Sequence, residues 1–118
     1  MLINVDKDFK LVFKRGGGAM ITAQVVFRVA TPTGWKVAGV FPLSKVFDPV
    51  EAIEVSLAPG TRYMGTFKCE VEEQLNGAYD YEFSVNGTKV YFDQDDVNTT
   101  SNAHDSIAFK GDFVVDTN

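Results

Sequence analysis

The sequence predicts an all-β fold, an antiparallel immunoglobulin-like β-sandwich of about seven to eight strands. Three observations carry this expectation. Apolar residues recur with a period of two along most of the chain. Gly, Pro and Asn-Gly turn signals separate the periodic runs. No window shows an apolar stripe at helical spacing.

The elements follow in order. Phe9 to Phe13 is a short candidate strand, ended by Gly16-Gly17-Gly18. Ile21, Ala23, Val25, Phe27 and Val29 then alternate with Thr22, Gln24 and Arg28, and only Val26 interrupts the polar row. This is the pattern of a strand with one face on a core. Thr31-Pro32-Thr33-Gly34 marks a turn before Trp35 to Phe41. Asp48 to Glu54 has room for one helical turn at most, ahead of a strand at Ile53 to Leu57. Ala58-Pro59-Gly60 opens the run Tyr63 to Val71, whose polar face is Thr66, Lys68, Glu70 and Glu72. Asn76-Gly77 precedes Tyr79, Tyr81, Phe83 and Val85. Asn86-Gly87 then stands at hairpin spacing, where both residues tolerate positive φ. Lys89 to Phe92 and Ser106 to Val115 complete the set, and Asp93 to Asp105 reads as the longest loop.

The chain is expected to form a single domain, 1–118, with no internal repeat and no linker. Sixteen acidic residues against eleven basic ones give a net charge of −5. That balance repels phosphate backbones and anionic lipid, so neither nucleic acid nor membrane is expected as a partner. Cys69 is the only cysteine, so no internal disulfide can form. Met1 to Asp6 has no basic start and no apolar stretch of the signal-peptide kind. A cytoplasmic location is therefore expected, with an extracellular one if the chain is part of a secreted protein.

Catalytic constellations are sparse. His104 is the only histidine, and no Gly-x-Ser-x-Gly elbow occurs. Cys69 falls on the apolar face of its strand, where a thiol is inert. Asp93, Asp95, Asp96 and Asp105 cluster in sequence rather than facing each other from separate strands, so no acid/base split is evident. An EF-hand would need an oxygen ligand at Val97, glycine at Asn98 and glutamate at His104. No enzyme activity, no cofactor and no metal is expected.

The segment Asn76-Gly77-Ala78-Tyr79-Asp80-Tyr81-Glu82-Phe83-Ser84-Val85-Asn86-Gly87 resembles the Gly-x-Tyr-x-Tyr-x-Phe-x-Val-Asp/Asn-Gly hairpin of starch- and glycogen-binding modules. Those modules are immunoglobulin-like sandwiches. Tyr91-Phe92-Asp93 stands where they carry an aromatic pair and an aspartate, and the likeness runs from about Tyr63 to Phe109. Departures occur at Gln94 and Asp95, in place of two asparagines, and at Thr99-Thr100, in place of an Asn-Tyr pair.

The resemblance implies a non-catalytic carbohydrate-binding module for α-glucan. Glucans offer flat C–H faces to aromatic rings and vicinal hydroxyls to polar side chains. The candidate ligand-binding residues are Tyr91, Trp35, Lys89, Asp93, Gln94 and Asn98. By parity Tyr91 lies on the outward face with Lys89, while Phe92 follows Val90 inward and Trp35 follows Val37 and Phe41 onto the core. The alternative is an immunoglobulin-like structural or protein–protein interaction domain with no sugar ligand, including a homodimer through an edge strand or sheet face. Its hint is apolar residues on a polar face: Val26, with Val40 and Met64.

Overall fold

The computed structural model describes residues 1–97 and 106–118. Nine strands form two sheets among the described residues. They are β1 (Leu2–Val5), β2 (Asp8–Gly17), β3 (Met20–Thr31), β4 (Gly34–Leu43), β5 (Val50–Ser56), β6 (Arg62–Glu72), β7 (Ala78–Val85), β8 (Thr88–Asp96) and β9 (Ser106–Thr117). The larger sheet has the order β1-β9-β6-β3-β4, the smaller β5-β2-β7-β8. Every neighbouring pair is antiparallel except β1–β9, which is parallel. The sandwich is the predicted architecture.

The core is where the inward rows of the two sheets meet. Phe13 and Phe83 from the smaller sheet and Phe27, Phe67 and Phe113 from the larger are fully buried. Phe67 stacks on Phe83 with ring centroids 4.6 Å apart, and Phe27 meets Phe113 edge-on at 5.8 Å. Gly65 makes room for this packing: a Cβ there would lie 2.4 Å from the Phe113 ring. The Tyr63 hydroxyl accepts a hydrogen bond from the Ala58 amide at 3.0 Å, so this buried ring satisfies its polar end.

Arg15 ties one pole of the sandwich together. Its side chain is 5% exposed. It donates to the carbonyls of Ile21 (2.8 Å), Leu43 (2.8 Å) and Asp48 (3.1 Å), and to Glu51 Oε1 at 2.9 Å. Glu51 Oε1 also accepts from the Lys45 amide at 3.1 Å, which fixes the β4–β5 loop. The segment from Asp48, given room for one helical turn at most, instead enters β5 at Val50, where pairing with β2 supplies its backbone partners. At the opposite pole Asn86 (φ 50°) and Gly87 (φ 84°) close the β7–β8 hairpin as a type I′ turn, as the sequence predicts.

β8 runs on to Asp96, into the segment read as a loop from Asp93, and three further features depart from the sequence reading. A ninth strand, β1, forms from a four-residue segment whose alternation is too brief to register. The other two are β-bulges, and each inverts a face. On β4, Phe27 faces Gly39 and Arg28 faces Val37, leaving Ala38 unpaired. On β8, Phe83 faces Tyr91 and Ser84 faces Lys89, leaving Val90 unpaired. An extra residue shifts the period-two alternation by one. Trp35 and Val37 therefore leave the core face of Phe41 and turn outward, where they are 61% and 51% exposed. Phe41 still packs on Phe27, with centroids 5.9 Å apart. Tyr91 turns inward and Phe92 outward, the reverse of the expected parity.

Candidate functional site

The residues expected to bind sugar do not converge. Trp35 projects from β4, at one lateral edge of the larger sheet. Lys89, Tyr91, Asp93 and Gln94 lie on β8, at an edge of the smaller sheet. β8 sits over β9 and β6, because the Tyr91 hydroxyl donates to the Asp112 carbonyl and its ring stacks on Phe67 at 5.5 Å. β2, by contrast, reaches the β4 end of the larger sheet, through the Arg15 bond to Leu43. Trp35 and β8 are thus on opposite flanks. Asn98 and His104 lie outside the described residues.

Tyr91 is a packing residue here. Burial raises the pKa of its hydroxyl, and the Asp112 carboxylate adds to the rise. Asp93 is also engaged: Oδ2 accepts from the Tyr79 hydroxyl at 3.0 Å and Oδ1 from the Gln94 amide at 2.9 Å. Lys89 points outward, 3.1 Å from Glu82 Oε1, with its ammonium 5.0 Å from the Phe92 ring centroid. That lysine, by its hydrogen bond, holds the Glu82 carboxyl below its usual range. The acidic run Asp93 to Asp96 alternates across β8, so its carboxylates are divided between two faces. Among the described residues no group of His, Cys, Asp and Glu has the makings of a metal site. Cys69 is buried, and its thiol pKa is pushed up to about 12, chiefly by desolvation.

The outer face of the larger sheet has a different character. Its register lays side chains out in cross-strand rows. One row reads Leu2, Val114, Met64, Arg28, Val37 from β1 to β4. The next reads Asp112, Thr66, Val26, Val40. The third reads Lys110, Lys68, Gln24, Pro42. Leu2 and Val40 are about half exposed, at 51% and 50%, and Trp35 extends the apolar stripe along β4. Val26, Val40 and Met64, singled out in the sequence as misplaced apolar residues, belong to adjoining rows of one patch. The outer face of the smaller sheet instead interleaves Phe92 and Val50 with Lys14, Glu82 and Lys89, which are linked by ion pairs of 3.8 and 3.1 Å.

Three cations stand on the patch without an ion pair among the described residues: Arg28, Lys68 and Lys110. Arg62 is different, for it grips Asp116 through two bonds of 2.7 and 2.8 Å. That bond holds the Asp116 carboxyl below its usual range. Lys68 and Lys110 face each other directly across β6 and β9. They line a shallow groove of about 460 Å³ with Thr22, Gln24, Glu70 and Ala108. Sequence reasoning missed this cationic row because residues on different strands join it only once the register is known.

A second concavity, of about 320 Å³, opens at the pole tied by Arg15. Gly16, Gly17 and Gly18 form one wall, and Phe47 and Leu75 stand on its rim, 95% and 89% exposed. Arg15 beneath it directs four N–H donors to Ile21, Leu43, Asp48 and Glu51 rather than into the cleft. No helix among the described residues is long and apolar enough to cross a membrane. Comparisons with protein-family models, with curated proteins and with solved structures give no match.

Proposed function

We propose that this chain is a non-catalytic interaction module that binds another protein through the outer face of the larger sheet. The observation that carries the reading is the apolar stripe of Leu2, Met64, Val26, Val37 and Val40, laid side by side by register on a face open to water. Contiguous exposed apolar surface of this kind marks interaction sites in soluble proteins, whereas scattered apolar residues do not. The smaller sheet, with its paired charges, serves as an internal contrast.

The test is selection of displayed random peptides against the folded domain, followed by binding to a Val37→Lys/Val40→Lys variant. Both positions point outward, so the variant retains the fold. The reading expects the selected peptides to lose affinity for the variant. Equal binding to both proteins would move the site elsewhere and refute it.

A glucan-binding reading keeps one favourable observation: the exposed rings of Trp35 and Phe92, the latter beside Lys89. Retention on amylose resin that is lost in Trp35→Ala or Phe92→Ala would support it. Tyr91→Ala is the wrong control, since its ring packs on Phe67.

A further inference from the structure

The geometry points to an acidic partner: a protein segment whose apolar side chains cover the Val26–Val40 row and whose carboxylates meet Lys68 and Lys110. This rests on the reading of the larger sheet's outer face as a protein-binding surface, and specifies what that surface recognises.

The argument is one of charge placement. The chain carries a net charge of −5, so an unsorted surface patch would be acidic. This face is not. Arg28 stands in one apolar row, and Lys68 and Lys110 form the row next to Val26 and Val40, with no ion pair on any of the three among the described residues. Like charges directly opposite on paired strands repel and cost stability. Paired strands are only ~4.8 Å apart, and successive outward rows ~7 Å apart along a strand. A carboxylate bound between the two lysines would relieve the repulsion while an apolar neighbour one row away is buried. The groove at the lysine row adds the Gln24 amide and Thr22 hydroxyl as hydrogen-bonding groups. Glu70, on its far side, confines the anion to the lysine row.

A second copy of the same face is a poor occupant. Stacking two such faces brings six cations of the three rows together against only two carboxylates, the Asp112 of each copy. Electrostatic complementarity favours a partner of opposite sign and sets its register on the rows.

Displayed random peptides serve again as the probe, now sorted by composition and by response to Lys68→Glu/Lys110→Glu. The expected peptides pair apolar residues with Asp or Glu. Their affinity falls about tenfold in the charge-reversed variant, equivalent to ~1.4 kcal/mol. It falls too towards ~1 M salt, where the screening length shrinks to ~3 Å. Peptides lost in Val37→Lys/Val40→Lys but indifferent to charge reversal and to salt would overturn this inference and leave the protein-binding face standing. Peptides indifferent to both variants would overturn both. Sedimentation showing self-association through this face, or binding to phosphatidylserine vesicles lost in the charge-reversed variant, would also overturn it.

Discussion

Replacing Glu51 by leucine removes the counter-charge of a buried guanidinium. Glu51 and Arg15 have side chains 4% and 5% exposed, and their contact is 2.9 Å. After the change Arg15 keeps three carbonyl acceptors, on Ile21, Leu43 and Asp48, but loses its anion, while the Lys45 amide loses its acceptor. Breaking a buried pair at one partner costs ~3–5 kcal/mol. Against a total stability of ~5–15 kcal/mol, that is a large share. With a urea m-value near ~2 kcal/mol per M, the midpoint falls by roughly 2 M. Arg15→Met costs a similar amount, because it orphans the same carbonyls. The double change costs less than the sum of the singles, by ~1–3 kcal/mol, since no unpaired charge is left inside. Urea melts of the four proteins, followed by tryptophan fluorescence and circular dichroism, measure the cycle. A midpoint shift under about 0.5 M for Glu51→Leu, with unchanged slope, would mean that water reaches Arg15, and the burial argument would fail.

Gly111→Ala places a Cβ 2.2 Å from the Tyr91 ring, which is itself backed by Phe67, so the change costs ~1–3 kcal/mol in the same melts. Tyr91→Phe removes only the bond to the Asp112 carbonyl and costs ~0.5–1.5 kcal/mol, without altering partner binding. The Cys69 thiol, with its pKa at about 12 against an ordinary value near 9, resists alkylation at pH 8 until the protein is unfolded. Its folded pKa is raised, so its contribution to stability is complete below pH 9 and declines as pH climbs from there towards 12, by ~1.4 kcal/mol per unit. Cys69→Ala should flatten that alkaline slope in a pH series of urea midpoints. Gly87→Ala forces an L-residue into a φ of 84° and destabilises the hairpin by ~1–2 kcal/mol.

Fold class was legible because most of the longer strands alternate with a period of two, which bulges interrupt only on β4 and β8. The Asn86-Gly87 turn was legible because its chemistry is local. The faces of Trp35, Tyr91 and Phe92 were not. Each lies within three residues of an extra residue, Ala38 or Val90, and nothing in the side chains of either announces that it will be skipped by its partner strand. β1 was invisible for another reason: its pairing with β9 joins residues 2–5 to 114–117, across nearly the whole chain. The apolar patch was half legible. Val26 betrayed itself by parity, but its union with Val37, Leu2 and the lysine row depends on the strand order.

The parallel docking of β1 on β9 bears on how the molecule would carry mechanical load. Leu2 lies beside Val114 and Val5 beside Thr117, and the Asn118 amide donates to the Val5 carbonyl at 2.9 Å. A force applied through Met1 and Asn118 therefore pulls these two strands past each other lengthwise. Their cross-bridges lie across the pull and must rupture together rather than unzip one at a time. Tension along the chain meets the sandwich in its most resistant direction.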